Sequence, residues 1–149
     1  TSDDEFEAMG ITYQVSDDLT IGYNESTYKD AASTTVDQEN SNISATYTMG
    51  SMTAAIQSTN VDYEATGSTD QDATHMGISL AINDDLTVSA GRQEVEFDGV
   101  GEDEVNTGIQ ASYTMGSISL TAAINSVESA GGVANTDAEA SIFVASFAF

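Results

Sequence analysis

The sequence predicts an all-β protein, folded as an antiparallel up-and-down transmembrane β-barrel. Three observations carry this expectation. Apolar residues alternate with polar ones at period two along most of the chain, connections alternate between short and long, and the polar positions mid-strand are almost free of charge.

Taken in order, the first strand places Met9, Ile11, Tyr13 and Val15 on one face and Ala8, Gly10, Thr12 and Gln14 on the other. Leu19, Ile21 and Tyr23 mark the second strand, Ile43, Ala45, Tyr47 and Met49 the third, and Met52, Ala54 and Ile56 the fourth. Met76, Ile78, Leu80 and Ile82 define the fifth and Leu86, Val88 and Ala90 the sixth. Ile109, Ala111, Tyr113 and Met115 lead into Ile118, Leu120, Ala122 and Ile124, and Phe143, Ala145, Phe147 and Phe149 close a series of nine strands. Helical spacing is absent, and so is proline, which cannot donate to a ladder.

Tight-turn signals sit at Ser16-Asp17-Asp18, Gly50-Ser51, Asn83-Asp84-Asp85 and Gly116-Ser117. Long polar links are expected at roughly 26–40, 60–73, 94–106 and 128–138, giving short turns at one end and longer loops at the other. An internal repeat keeps the same register. Asp17-Asp18-Leu19-Thr20 recurs as Asp84-Asp85-Leu86-Thr87, and Tyr47-Thr48-Met49-Gly50-Ser51 recurs at 113–117. Repeated hairpins suit an up-and-down barrel better than a Greek-key sandwich.

Alternation by itself also fits a soluble sandwich, in which one strand face meets water. Such a face usually carries Lys, Glu and Arg, whereas here it reads Thr, Ser, Gly, Ala, Asn and Gln, with charges expected in loops and turns. Of 25 acidic residues only Asp17, Asp18, Asp84 and Asp85 fall in the short turns, so the rest belong to the long-loop side. Tyr13, Tyr47 and Tyr113 near the short turns, and Phe6, Tyr28, Tyr63 and Phe97 toward the long loops, read as two interfacial girdles. Arg92 follows the outward parity of Leu86, Val88 and Ala90, facing outer-leaflet lipopolysaccharide phosphate or a neighbouring subunit, unless a bulge turns it inward.

Composition excludes other classes. A net charge of -23, with Lys29 and Arg92 the only basic residues, is incompatible with nucleic-acid binding. The chain has no cysteine, which removes disulfides and thiolate metal sites, and His75 alone gives no catalytic constellation, so no enzyme is expected.

The final strand, Phe143, Phe147 and Phe149 at alternate positions, resembles the C-terminal assembly signal of Gram-negative outer-membrane barrels, which the barrel-assembly machinery recognises. With that terminus and hairpin pieces such as 44–51, the chain is similar to the C-terminal portion of an alphaproteobacterial general porin of the Rhodobacter type. The resemblance implies a sixteen-stranded, homotrimeric barrel integral to the bacterial outer membrane. It also implies passive diffusion of small hydrophilic solutes, and calcium bound near acidic loops. Residues 1–149 are then expected to form a single, incomplete domain, because counting back nine strands from a periplasmic terminus puts Thr1 on the outer side. The alternative is an eight-stranded barrel whose first segment is not a strand.

The inward parity supplies candidate pore-lining residues: Thr12, Gln14, Thr20, Asn24, Thr46, Thr48, Gln57, Ser79, Thr87, Ser89, Gln110, Ser112, Thr114 and Thr121. Side chains this small would not fill a narrow lumen, which favours a wide, hydrated one. Acidic loops at its mouth are expected to favour cations. No cofactor is required, and the candidate calcium ligands are Asp3, Asp4 and Glu5; Asp70 and Asp72; and Glu102, Asp103 and Glu104. The competing function is a surface-displayed or structural β protein, an adhesin or small non-channel barrel, without transport.

Overall fold

The computed structural model describes residues 4–30, 37–65 and 67–147. Asp3 among the candidate calcium ligands and Phe149 of the terminal signal lie outside the described residues. The strands are β1 (Glu5–Gln14), β2 (Leu19–Lys29), β3 (Gln38–Met49), β4 (Met52–Tyr63), β5 (Gln71–Ala81), β6 (Leu86–Phe97), β7 (Glu104–Met115), β8 (Ile118–Glu128) and β9 (Ala138–Phe147). All nine join one sheet in sequence order, each antiparallel to the next. The anticipated nine-strand meander is therefore what forms. Among the described residues the sheet is open, with β1 and β9 each paired on one side only.

Turn chemistry explains the hairpins. Ser16 Oγ accepts from the amides of Asp18 and Leu19 at 3.3 and 3.1 Å, and Asn83 Oδ1 does the same for Asp85 and Leu86 at 2.9 Å each. Serine and asparagine thus build the same side-chain turn in the two repeats. Gly50 and Gly116 open the two-residue turns with φ of +60° and +61°, a region in which a Cβ would be strained. The repeat extends to the neighbouring strand, since the amides of Thr48 and Thr114 each donate at 2.8 Å to the carbonyls of Asp18 and Asp85.

Strands run further than their apolar alternation. The long connections shrink to 30–37, 64–70, 98–103 and 129–137, because backbone ladders continue above the apolar band, where the pattern turns acidic. Glu7, Glu25, Glu39, Asp62, Asp72, Glu94, Glu96, Glu128 and Glu139 therefore lie in strands rather than loops, a correction to the expected charge placement. Along β3, Glu39 to Met49 is about 34 Å of strand at ~3.4 Å per residue. A tilt of about 40° projects this to roughly 26 Å, close to the apolar height of an outer membrane.

Little is buried. Val95 is the only buried hydrophobic among the described residues, while Ile11, Ile43, Ile109 and Phe143 are 61–70% exposed. A folded soluble monomer of 15.5 kDa exposes about 7,200 Å². This sheet exposes 9959 Å². Each large apolar side chain covered gains about 1.5–3 kcal/mol, and no second layer covers this face among the described residues. A lipid phase is the solvent that can.

Candidate functional site

Directly paired residues share a face, so the register sorts every side chain. One row of direct partners runs Thr12, Gly22, Ser44, Gln57, His75, Gln93 and Asn106 from β1 to β7. The row one residue away reads Tyr13, Ile21, Ala45, Ile56, Met76, Arg92 and Thr107. No bulge interrupts either row. The candidate lining residues from Thr12 to Thr121 consequently all share the polar face, and Phe143 and Phe147 lie on the apolar one.

Polar side chains bond laterally along this wall. Asn24 donates to Asn42 at 3.2 Å, Asn42 donates to Thr59 at 3.2 Å, and Gln57 donates to the same hydroxyl at 3.1 Å. Ser112 and Thr121 share a 3.1 Å bond, and Thr48 and Thr53 one of 3.3 Å. Such pairing holds short side chains along the sheet surface. Crowding is local: a Cβ on Gly22 would meet Ser44 Oγ at 2.9 Å, and one on Gly108 would meet Asn125 Oδ1 at 2.7 Å.

Charge is segregated by face. Within the strands, Glu104 and His75 carry the only acid, base or imidazole of the polar face, whereas Glu25, Lys29, Glu39, Arg92, Glu94 and Glu96 occupy the other. Arg92 follows the apolar parity without a bulge and pairs with Glu94.

The upper aromatic row is the main correction. Phe6 pairs with Tyr28, Tyr28 with Gln38, Gln38 with Tyr63, and Gln71 with Phe97, all on the polar face. They form no lipid-facing girdle, because the ladder keeps its period above the apolar band. Tyr13, Tyr47 and Tyr113 do lie on the apolar face, beside the short turns.

At the long-loop end, acidic side chains close loops. Asp37, Asp70 and Asp137 each accept the backbone amide at the start of their loop, from Asp30, Tyr63 and Ser129 at 2.7, 2.8 and 3.1 Å. The connection after β8 turns through a short 3-10 segment, Ala130–Gly132, that folds over the polar face of β6 and β7. Glu104 fastens it, accepting from the Gly131 amide at 2.7 Å and from Asn106 at 2.6 Å. Gly132 is buried at φ +74°, where a Cβ would lie 2.6 Å from Val100 Cγ1 and 3.1 Å from the Phe97 ring.

These bonds redraw the calcium candidates. Asp70 is committed to a loop amide and Asp72 accepts from Asn60 at 3.1 Å. Glu102, Asp103 and Glu104 do not converge as one ligand set, since Glu104 is engaged with Gly131 on the polar face. Asp103 instead groups with Glu94 and Glu96, with one carboxylate oxygen from each within 4.8 Å of the others. Asp4 and Glu5 join no such group among the described residues. Glu94 and Glu96 fall with Asp103 inside the expected 94–106 link, and their alternate positions on one strand were the signal that could have singled them out.

The sequence matches the family described as Gram-negative porin over residues 1–132. No curated protein matches it. Among solved structures it is similar to OmpT, an outer membrane protein of Vibrio cholerae, in three forms. The in-vitro folded protein has a TM-score of 0.68 at 18% identity, covering 84% of this chain and 45% of that one. The outer-membrane expressed form has 0.67 at 19%, covering 94% and 54%. The trimer form of the in-vitro folded protein has 0.68 at 17%, covering 97% and 56%. The chain thus spans about half the length of these neighbours, and the likeness is one of fold.

Proposed function

The chain belongs to the Gram-negative porin family, an integral outer-membrane β-barrel protein, and from that premise we propose that its polar face lines a water-filled channel through which small hydrophilic solutes and ions diffuse passively. The observation that carries this reading is the sorting of faces: through eight ladders without a register break, hydroxyls, amides and glycines take one side and the lipid-compatible band the other. A bilayer core tolerates strands only in a closed barrel. In this reading the free edges of β1 and β9 are covered by further strands that close the barrel. This corresponds to the C-terminal portion of a Rhodobacter-type, sixteen-stranded barrel.

In this reading the channel catalyses nothing and needs no cofactor. Calcium is accessory, held by hard-oxygen donors at the acidic end: Asp3, Asp4 and Glu5; Asp70 and Asp72; or Glu102, Asp103 and Glu104, with Glu94 and Glu96 grouped beside Asp103. The barrel assembles as a homotrimer, a form recorded for the Vibrio protein, with Phe143, Phe147 and Phe149 read by the barrel-assembly machinery and the apolar face set in lipid and lipopolysaccharide. Cation preference comes from the acidic strand ends at the mouth acting at a distance, because the wall itself is nearly uncharged.

Purified full-length protein in a planar bilayer tests the reading. Discrete conductance steps in potassium chloride are expected. A protein that inserts, resists heat unfolding in SDS and passes no current would overturn it.

A further inference from the structure

The polar face holds a groove of about 480 Å³ across β1 to β4, with Phe6 at its upper edge, Gly10 at its floor and Asn24, Asn40 and Asn42 along its sides. Gly10 keeps the floor open, since a Cβ there would stand 3.0 Å from Asn24 Oδ1. Each amide offers two donors and an oxygen with two lone pairs. Asn24 donates to Asn42, Asn42 to Thr59, and Asn40 to Ser26 at 3.4 Å, which uses only part of that capacity. Glu25 borders the groove, but its side chain belongs to the other face, where the carboxylate accepts from Tyr23 at 2.8 Å.

The groove thus combines aromatic surface, planar amides and neutrality. An ion would find no countercharge to replace its hydration. A neutral sugar ring presents apolar C–H faces that stack on an aromatic, and hydroxyls that both donate and accept. Phe6 and its direct partner Tyr28 supply such rings at the end nearer the long loops, and Gln38 and Tyr63 continue the row on β3 and β4. Barrel strands tilt by about 35–45°, so a row of direct partners climbs the wall as a spiral, a path along which successive sugar units can pass from ring to ring.

We propose that this groove is a binding subsite for neutral oligosaccharides on the channel wall, with Phe6 stacking against a sugar ring, its ladder partner Tyr28 extending the stack beyond the groove, and Asn24, Asn40 and Asn42 bonding to the hydroxyls. The proposal rests on the polar face being the lumen.

The test uses full-length protein and maltohexaose. In planar bilayers the sugar should interrupt the current of the wild type. Phe6→Ala and Gly10→Leu should each shorten the interruptions at least tenfold, while Ala122→Leu, on the apolar face of β8 and outside the lumen, should leave them unchanged. Calorimetric titration of the same proteins in detergent reads binding without current. Conductance in plain salt with neither interruptions nor measurable binding would overturn the subsite alone. So would full-length interruptions in both groove variants, or equal losses in Ala122→Leu. Binding that weakens in Phe6→Ala in a protein that never conducts would support the subsite and overturn the channel.

Discussion

Two adjacent residues of β7 separate a lipid-facing wall from a water-facing one. Ile109 is on the apolar face and 63% exposed, and Gln110 is on the polar face. From Met115 at the short turn to Ile109 is about 20 Å of strand, or about 15 Å of bilayer height at a 40° tilt. That places Ile109 near the middle of an apolar band about 25 Å tall. Ile109→Arg should therefore destabilise the folded barrel by about 2–4 kcal/mol, the midplane cost of a lipid-facing arginine. At 1.4 kcal/mol per factor of ten, this shifts the folding equilibrium by roughly 30- to 700-fold. Gln110→Arg projects into water and should cost under about 1 kcal/mol, as surface substitutions do. Folding of full-length protein from urea into phospholipid vesicles, with the folded fraction read by heat-modifiable migration on gels, measures both. Equal penalties, or a larger one for Gln110→Arg, would refute the assignment of faces.

Three further outcomes follow from the geometry. Gly22→Val should cost about 1–3 kcal/mol by overpacking against Ser44 Oγ, measured as a lower urea midpoint with unchanged slope. Gly132→Val combines a positive φ with a clash on Val100, so hydrogen exchange should accelerate through 129–137 while strand protection persists. Reversal potentials should show cation preference at 10 mM salt, where the screening length is about 30 Å, and lose most of it near 1 M, where it is about 3 Å. A preference independent of salt would place a fixed charge in the lumen instead.

The strands, their order and the parity of Thr12 through Thr121 were legible because period two is obligatory where one face meets lipid. Above that band the constraint lapses. Apolar alternation stops there while hydrogen bonding continues, so strand ends such as Glu25 and Glu94 read as loop. For the same reason Phe6, Tyr28, Tyr63 and Phe97 were assigned to a girdle by height alone, when only the uninterrupted register fixes their face. Asp70 and Glu104 also clasp loop amides, a role that the sequence does not distinguish from holding a metal. The grouping of Asp103 with Glu94 and Glu96 depends on the fold of the β6–β7 hairpin, which spacing does not encode.

In the folded barrel the polar face is wet and the apolar face is not. The chain contains no cysteine, so single cysteines can report on each position. Ser112 and Tyr113 are neighbours on β7 with opposite parity. In full-length protein conducting across a planar bilayer, a charged, water-soluble methanethiosulfonate added to the bath should react with Ser112→Cys and reduce the current stepwise, and should leave Tyr113→Cys unchanged. Current loss at Tyr113→Cys with none at Ser112→Cys would contradict the account.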